Sequence, residues 1–119
     1  MKVHENDDLW YALEYHPTEG LTEETIEDIV AEVPGHNDED DWWWVLKIKD
    51  KGFCLFSGGC DYTGWDCQSG VEMHGYFSTA TEAANAAPKK EEYTERNIKQ
   101  ELVNQLEGKT PFGTEWKKV

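Results

Sequence analysis

The chain has 119 residues, 38% of them hydrophobic and 30% charged, with a formal net charge of −14. That length supports a single domain, residues 1–119, built on one core. An anionic balance of this size disfavours direct binding to nucleic acid or to anionic lipid and favours basic protein partners.

The opening stretch Met1–Asp8 is polar and acidic. It lacks the basic start and apolar run of a secretion signal, which points to the cytoplasm. Asp7-Asp8 precede Leu9-Trp10-Tyr11-Ala12-Leu13, a pattern that predicts a short helix with an acidic N-cap, although the aromatic content also suits a strand. Pro17 and Gly20 break the chain. Thr22 then caps an expected helix over 23–33, because Ile26, Ile29, Val30 and Val33 recur at helical spacing. Its opposite side carries Glu23, Glu24, Glu27, Asp28 and Glu32, and Pro34-Gly35 ends it.

After a polar loop, Trp42, Trp44, Leu46 and Ile48 alternate with Lys47 and Lys49, which predicts a strand. Asp50-Lys51-Gly52 is hairpin-turn chemistry, and 53–57 is the partner strand. Residues 58–70, punctuated by four glycines, read as an ordered loop between strands, and 71–77 as a third strand. Thr79-Ala80-Thr81-Glu82 opens a short helix that stops at Pro88. A final helix is expected over 91–107, with Ile98, Leu102, Val103 and Leu106 on one stripe; Gly108 and Pro111 follow it, and Phe112 and Trp116 fold back onto the body.

The expected fold class is therefore α+β, in the order α-α-β-β-β-α-α. A small antiparallel sheet, the 42–57 hairpin plus strand 71–77, packs its Trp face against helices. The expected core is Ile26, Ile29, Val30, Val33, Trp42, Trp44, Leu46, Ile48, Leu102 and Leu106. No run of 18 apolar residues is present, so no membrane contact is expected.

Residues 1–41 hold 14 Asp and Glu against one Lys, whereas 78–119 hold seven acids against seven bases. Charge so segregated marks a candidate partner-binding surface: Glu23, Glu24, Glu27, Asp28, Glu32, Asp38, Glu39, Asp40 and Asp41. Carboxylates at that density can occupy a groove that normally holds nucleic-acid phosphates. The alternative is a solvated face that keeps a structural domain soluble.

The run Cys60, Asp61, Tyr62, Trp65, Asp66 and Gln68 mixes rings, thiols and carboxylates, as ligand loops do. With His74 it could serve a small-molecule or metal site, or an enzyme. The competing reading is a structural loop whose acids cap turns. Cys54, Cys60, Cys67 and His74 are the only candidate zinc set, and they lack a Cys-x₂-Cys knuckle, so no metal is assigned. Three cysteines make a poor disulfide framework and fit free thiols. The sequence holds no catalytic motif and no cofactor motif: Gly58-Gly59 lacks the Lys of a phosphate loop, and Asn37–Asp41 lacks the Gly and closing Glu of a calcium loop.

The Trp42-Trp43-Trp44-Val45-Leu46 strand, the Asp50-Lys51-Gly52 turn and the Cys60–Ser69 run together resemble a group of small acidic bacterial and phage-borne proteins. The resemblance covers about a quarter of the chain and implies kinship of fold; it implies no activity. Together with the charge it suggests a phage or mobile-element inhibitor of a host nucleic-acid-handling, defence-related complex.

Overall fold

The computed structural model describes residues 2–89 and 96–108. Four strands form one antiparallel meander in the order β1-β2-β3-β4: β1 Ile26–Val33, β2 Trp42–Ile48, β3 Gly52–Asp61 and β4 Gly64–Phe77. A short 3-10 turn, Val3–Glu5, leads into α1, Asp7–Tyr15. Helices α2, Ala80–Asn85, and α3, Ile98–Leu106, follow the sheet. The class is α+β, with the order α-β-β-β-β-α-α.

The expected helix over 23–33 is strand β1. Its larger apolar residues, Ile26, Ile29, Val30 and Val33, are all β-branched, which stiffens χ1 and suits a pleated surface better than a helix. Two register shifts against β2, at 26/28 and at 29/31, reconcile the three-residue spacing with a strand. A bulge rotates the strand locally, so Ile26 and Ile29 both enter one core while Ala31 and Val33 enter the other. Thr22 caps no helix. It forms a tight turn with Thr25, whose amide approaches the Thr22 hydroxyl at 3.2 Å.

Both faces of the sheet are covered, where the sequence pattern had placed helices on the Trp face alone. Trp42, Trp44, Leu46, Cys54, Phe56 and Trp65 pack with Leu9 and Ala12 of α1. Trp43, Val45 and Leu55 point the other way, against Ala83 and Ala84 of α2 and Ile98 and Leu102 of α3. Small alanines let α2 lie close to the Trp43 side. This double covering is why Trp42 through Leu46 is buried without a break. Of the other expected core residues, Val30 and Leu106 are half-buried at the margin.

The turn at 50–52 forms as expected, with Asp50 and Gly52 both at positive φ (60° and 82°). The segment 58–70 is not a loop. It continues β3 and β4 as a long ribbon that reverses at Tyr62-Thr63, because cross-strand pairing satisfies the backbone that glycine punctuation suggested was irregular. The α1 cap is Asn6, whose Oδ1 accepts from the Leu9 amide at 3.0 Å, one residue before the acids expected to do so. Thr79 caps α2 through the Glu82 amide at 3.1 Å. Helix α3 starts at Ile98 behind its cap Asn97. The expected helical start at 91 and the contacts of Phe112 and Trp116 lie outside the described residues. No helix among the described residues is long and apolar enough to cross a membrane.

Strand β1 is an edge, and α3 guards it. The Gln105 side-chain amide donates to Glu32 O at 2.5 Å and accepts from Glu32 N at 2.8 Å. It occupies the hydrogen-bonding positions that a neighbouring strand would take.

Candidate functional site

The nine candidate partner-binding acids fall into three environments. Glu23, Glu24, Glu27 and Asp28 lie at the start of β1, where Ile26 pairs with Ile48. Two of these acids have nearby donors: Lys47 Nζ is 3.6 Å from Glu27, His4 is 3.8 Å from Glu23, and Lys2 Nζ donates to Glu27 O. Glu32 turns inward. Its Oε2 accepts from Trp44 Nε1 at 2.6 Å and from Asn6 Nδ2 at 2.5 Å, which makes it a structural acceptor. Asp38, Glu39, Asp40 and Asp41 sit past the other end of β1, roughly 23 Å along the strand from Ile26 at ~3.3 Å per residue. Charge that is contiguous in sequence is thus divided in space.

The loop 34–41 is held by three anchors. Arg96, just before α3, donates to Pro34 O at 2.5 Å and Asp41 O at 2.8 Å. Asp38, at φ +63°, donates its amide to Cys60 O at 2.7 Å. His36 bonds Asp40, backbone to backbone and side chain to side chain, each at 3.0 Å. These contacts fold the loop back over the β3–β4 ribbon.

The result is an open groove of about 560 Å³. Asp38, Glu39, Asp40 and Asp41 form one wall, and Asp61 and Glu72 stand on the ribbon. Gly58, Gly59 and Gly70 lie along it, and no Lys or Arg is among its described lining residues. At Gly59 the Asp41 carboxylate lies where a Cβ would stand, so a side chain there would displace that carboxylate. Asp61 accepts from the Thr63 hydroxyl at 2.5 Å and its amide at 2.9 Å. Those bonds, the hydroxyl first, hold the Asp61 carboxyl below its ordinary range and keep it ionised.

The candidate ligand run divides as well. Cys60, Asp61 and Gln68 line the groove. Trp65 and Asp66 line a second depression with Tyr11 and Tyr15. Tyr62 stands exposed at the ribbon's turn. The run is therefore not one site.

Cys54 and Cys60 are poor nucleophiles. Burial pushes the Cys54 thiol up to about 12. Burial, with Asp8 and Asp61 nearby, also raises Cys60, whose Sγ donates to Asn37 Oδ1 at 3.4 Å. Cys54 and Cys60 belong to the α1 side of the sheet, whereas His74 stacks on Trp43 on the opposite side, ring centroids 4.8 Å apart. The four residues weighed for zinc do not converge. Among the described residues, His36, Glu39 and Asp40 do bring ligand atoms within 4.8 Å of one another. Arg96 Nε lies 3.9 Å from Asp40, so a protein cation already stands in that corner.

His74 also bonds Ser57, Nε2 to Oγ, at 2.7 Å, with Glu72 3.8 Å from the same nitrogen. A relay would need the acid on Nδ1, so this trio is not arranged as a hydrolytic triad. Burial lowers His74 below its ordinary value, partly offset by Glu72. Sequence reasoning missed Trp43, Ser57 and His74 as a cluster, and also Arg96 and Gln105. Nothing local marks them; each acquires its partner from an element distant in sequence. No protein-family model, no curated protein and no solved structure matches this chain.

Proposed function

We propose that the protein is a non-catalytic binding module that seats a basic segment of another protein in the groove between the 34–41 loop and the β3–β4 ribbon. The supporting observation is that six acidic residues, from the loop, from β3 and from β4, line one open groove with no lysine or arginine among its described lining residues. Arg96 is committed to Asp40 and to the loop carbonyls, and the other five carboxylates keep the groove strongly anionic, a field that steers an oppositely charged partner. Lining glycines lower the rim, so an extended chain can approach the ribbon closely. The partner on this reading is a nucleic-acid-handling protein, whose phosphate-binding surface is basic by necessity. The groove's carboxylates would take the place of phosphates there, consistent with the kinship to phage-borne proteins suggested by the Trp42–Ser69 segment. The recognition elements are Asp38, Glu39, Asp41, Asp61 and Glu72. Glu23, Glu24, Glu27 and Asp28 contribute long-range field only, and Glu32 is committed to Trp44 and Asn6.

The test uses two variants with the same charge change at different places. A labelled peptide of about ten residues, rich in Lys and Arg, is titrated by fluorescence anisotropy. Glu39→Lys with Glu72→Lys is expected to weaken binding about tenfold or more, and Glu23→Lys with Glu24→Lys by much less. Equal losses in the two variants would mean that net charge alone binds the peptide, and the groove would lose its role.

A further inference from the structure

Helix α1 buries Leu9 and Ala12, yet it leaves Tyr11 and Tyr15 45% and 48% exposed. These tyrosines are four residues apart and so lie on one side of the helix. Their rings are not consumed by the core. They line a depression of about 370 Å³ together with Gly64, Trp65 and Asp66 of β4. Trp65 is a fixed wall: its indole N–H donates to Asp8 at 3.1 Å, and its ring lies against Trp42 at 5.3 Å between centroids. Gly64, at φ +105°, adds no side chain to the floor.

The chemistry of this lining selects its ligand. The lining holds three aromatic side chains, whose ring faces carry negative potential, and among its described residues the only ionisable side chain other than the tyrosines is a carboxylate. Helix α1 carries Asp7, Asp8 and Glu14 and no Lys or Arg, so the surrounding field is also negative. An anion is repelled there, and a neutral apolar group gains nothing from the charges. A planar cation gains from both, because a guanidinium stacks on ring faces, pairs with carboxylates and sheds water more readily than an ammonium. We infer that the Tyr11–Tyr15–Trp65–Asp66 depression is a second binding site, which receives an arginine side chain of the partner protein. The choice of a protein-borne arginine rests on the basic partner proposed above; the cation site itself stands on a different set of residues.

The experiment is a titration of ¹⁵N-labelled protein with N-acetyl-arginine amide, followed at the six tryptophan indole resonances. N-acetyl-citrulline amide, the neutral isostere, and N-acetyl-lysine amide are titrated in parallel. A saturable shift of the Trp65 indole is expected with the arginine compound at millimolar concentration, weaker with the lysine compound and absent with citrulline. Loss of each tyrosine ring is expected to weaken binding about two- to fivefold. Tyr11→Ala with Tyr15→Ala should therefore nearly abolish the shift while leaving the Trp43 and Trp44 indole positions in place. Asp66→Asn, a conservative change at an exposed position, should weaken it severalfold and serves if the tyrosine variant fails to fold. Equal response to citrulline and arginine, lysine binding as tightly as arginine, or no saturable shift at all overturns the assignment. The Glu39→Lys, Glu72→Lys variant should keep the Trp65 response, so failure of the groove and failure of this site are read separately.

Discussion

Replacing Glu32 by Ala removes one carboxylate oxygen that serves two donors. Trp44 is fully buried and gives its indole N–H to Glu32 Oε2; Asn6, 8% exposed, gives its amide to the same atom. An indole N–H left without an acceptor costs about 1–3 kcal/mol, and loss of the charge-assisted bond from Asn6 adds to this. Removing a half-buried carboxylate returns part of that through relieved desolvation, so the net expectation for Glu32→Ala is about 3 kcal/mol. Glu32→Gln keeps an oxygen with two lone pairs in place and should cost only about 1 kcal/mol. Against a total stability of roughly 5–15 kcal/mol, the Ala variant should remain folded but melt roughly 10 °C lower. Urea unfolding followed by circular dichroism measures both. Should Glu32→Ala fall within ~0.5 kcal/mol of the parent, or should Gln prove as damaging as Ala, the claim that this acid is a core acceptor would be refuted. The same variants bear on function: neither is expected to change affinity for the basic peptide in conditions where both remain folded.

Gln105→Ala should cost about 1–3 kcal/mol, the worth of two hydrogen bonds to the β1 edge, and should speed amide exchange at Glu32; unchanged exchange there would show that the Gln105 clasp is not holding the edge. His74 carries a pH dependence of definite sign. Its folded pKa lies below the ordinary 6.5, chiefly from burial, so the unfolded chain takes up the proton first. The stability it contributes is complete above pH 6.5 and declines as pH falls toward the folded value. His74→Gln should therefore flatten the loss of stability between pH 7.5 and 5.5, and parallel curves for the two proteins would count against the burial argument. Asp61, lowered from 3.8, contributes its own loss only at more acid pH and does not confuse that window.

Much of the fold was legible because its signals are local. The Asp50–Gly52 turn needs positive φ, the Thr79 hydroxyl finds an amide three residues on, and the run of aromatic and β-branched residues from Trp42 to Ile48 suits a strand. The 23–33 segment was misread because four β-branched residues at helical spacing fit either a helix or a bulged strand, and only pairing with β2 decides between them. The 58–70 ribbon was missed for a related reason: glycines signal a loop until a partner strand satisfies the backbone.

By itself the sequence determined the charge, its concentration before residue 42, the class of the fold and the residues able to fill a core, since these depend on composition and short-range geometry. Tertiary structure decided which acids act together. It tied Glu32 to the buried Trp44, set Lys47 beside Glu27, and folded 38–41 onto Asp61 and Glu72. The physical reason is that an electrostatic site depends on distance through space, and a strand of eight residues can separate charges that are neighbours in the chain while a loop and a ribbon bring distant ones together.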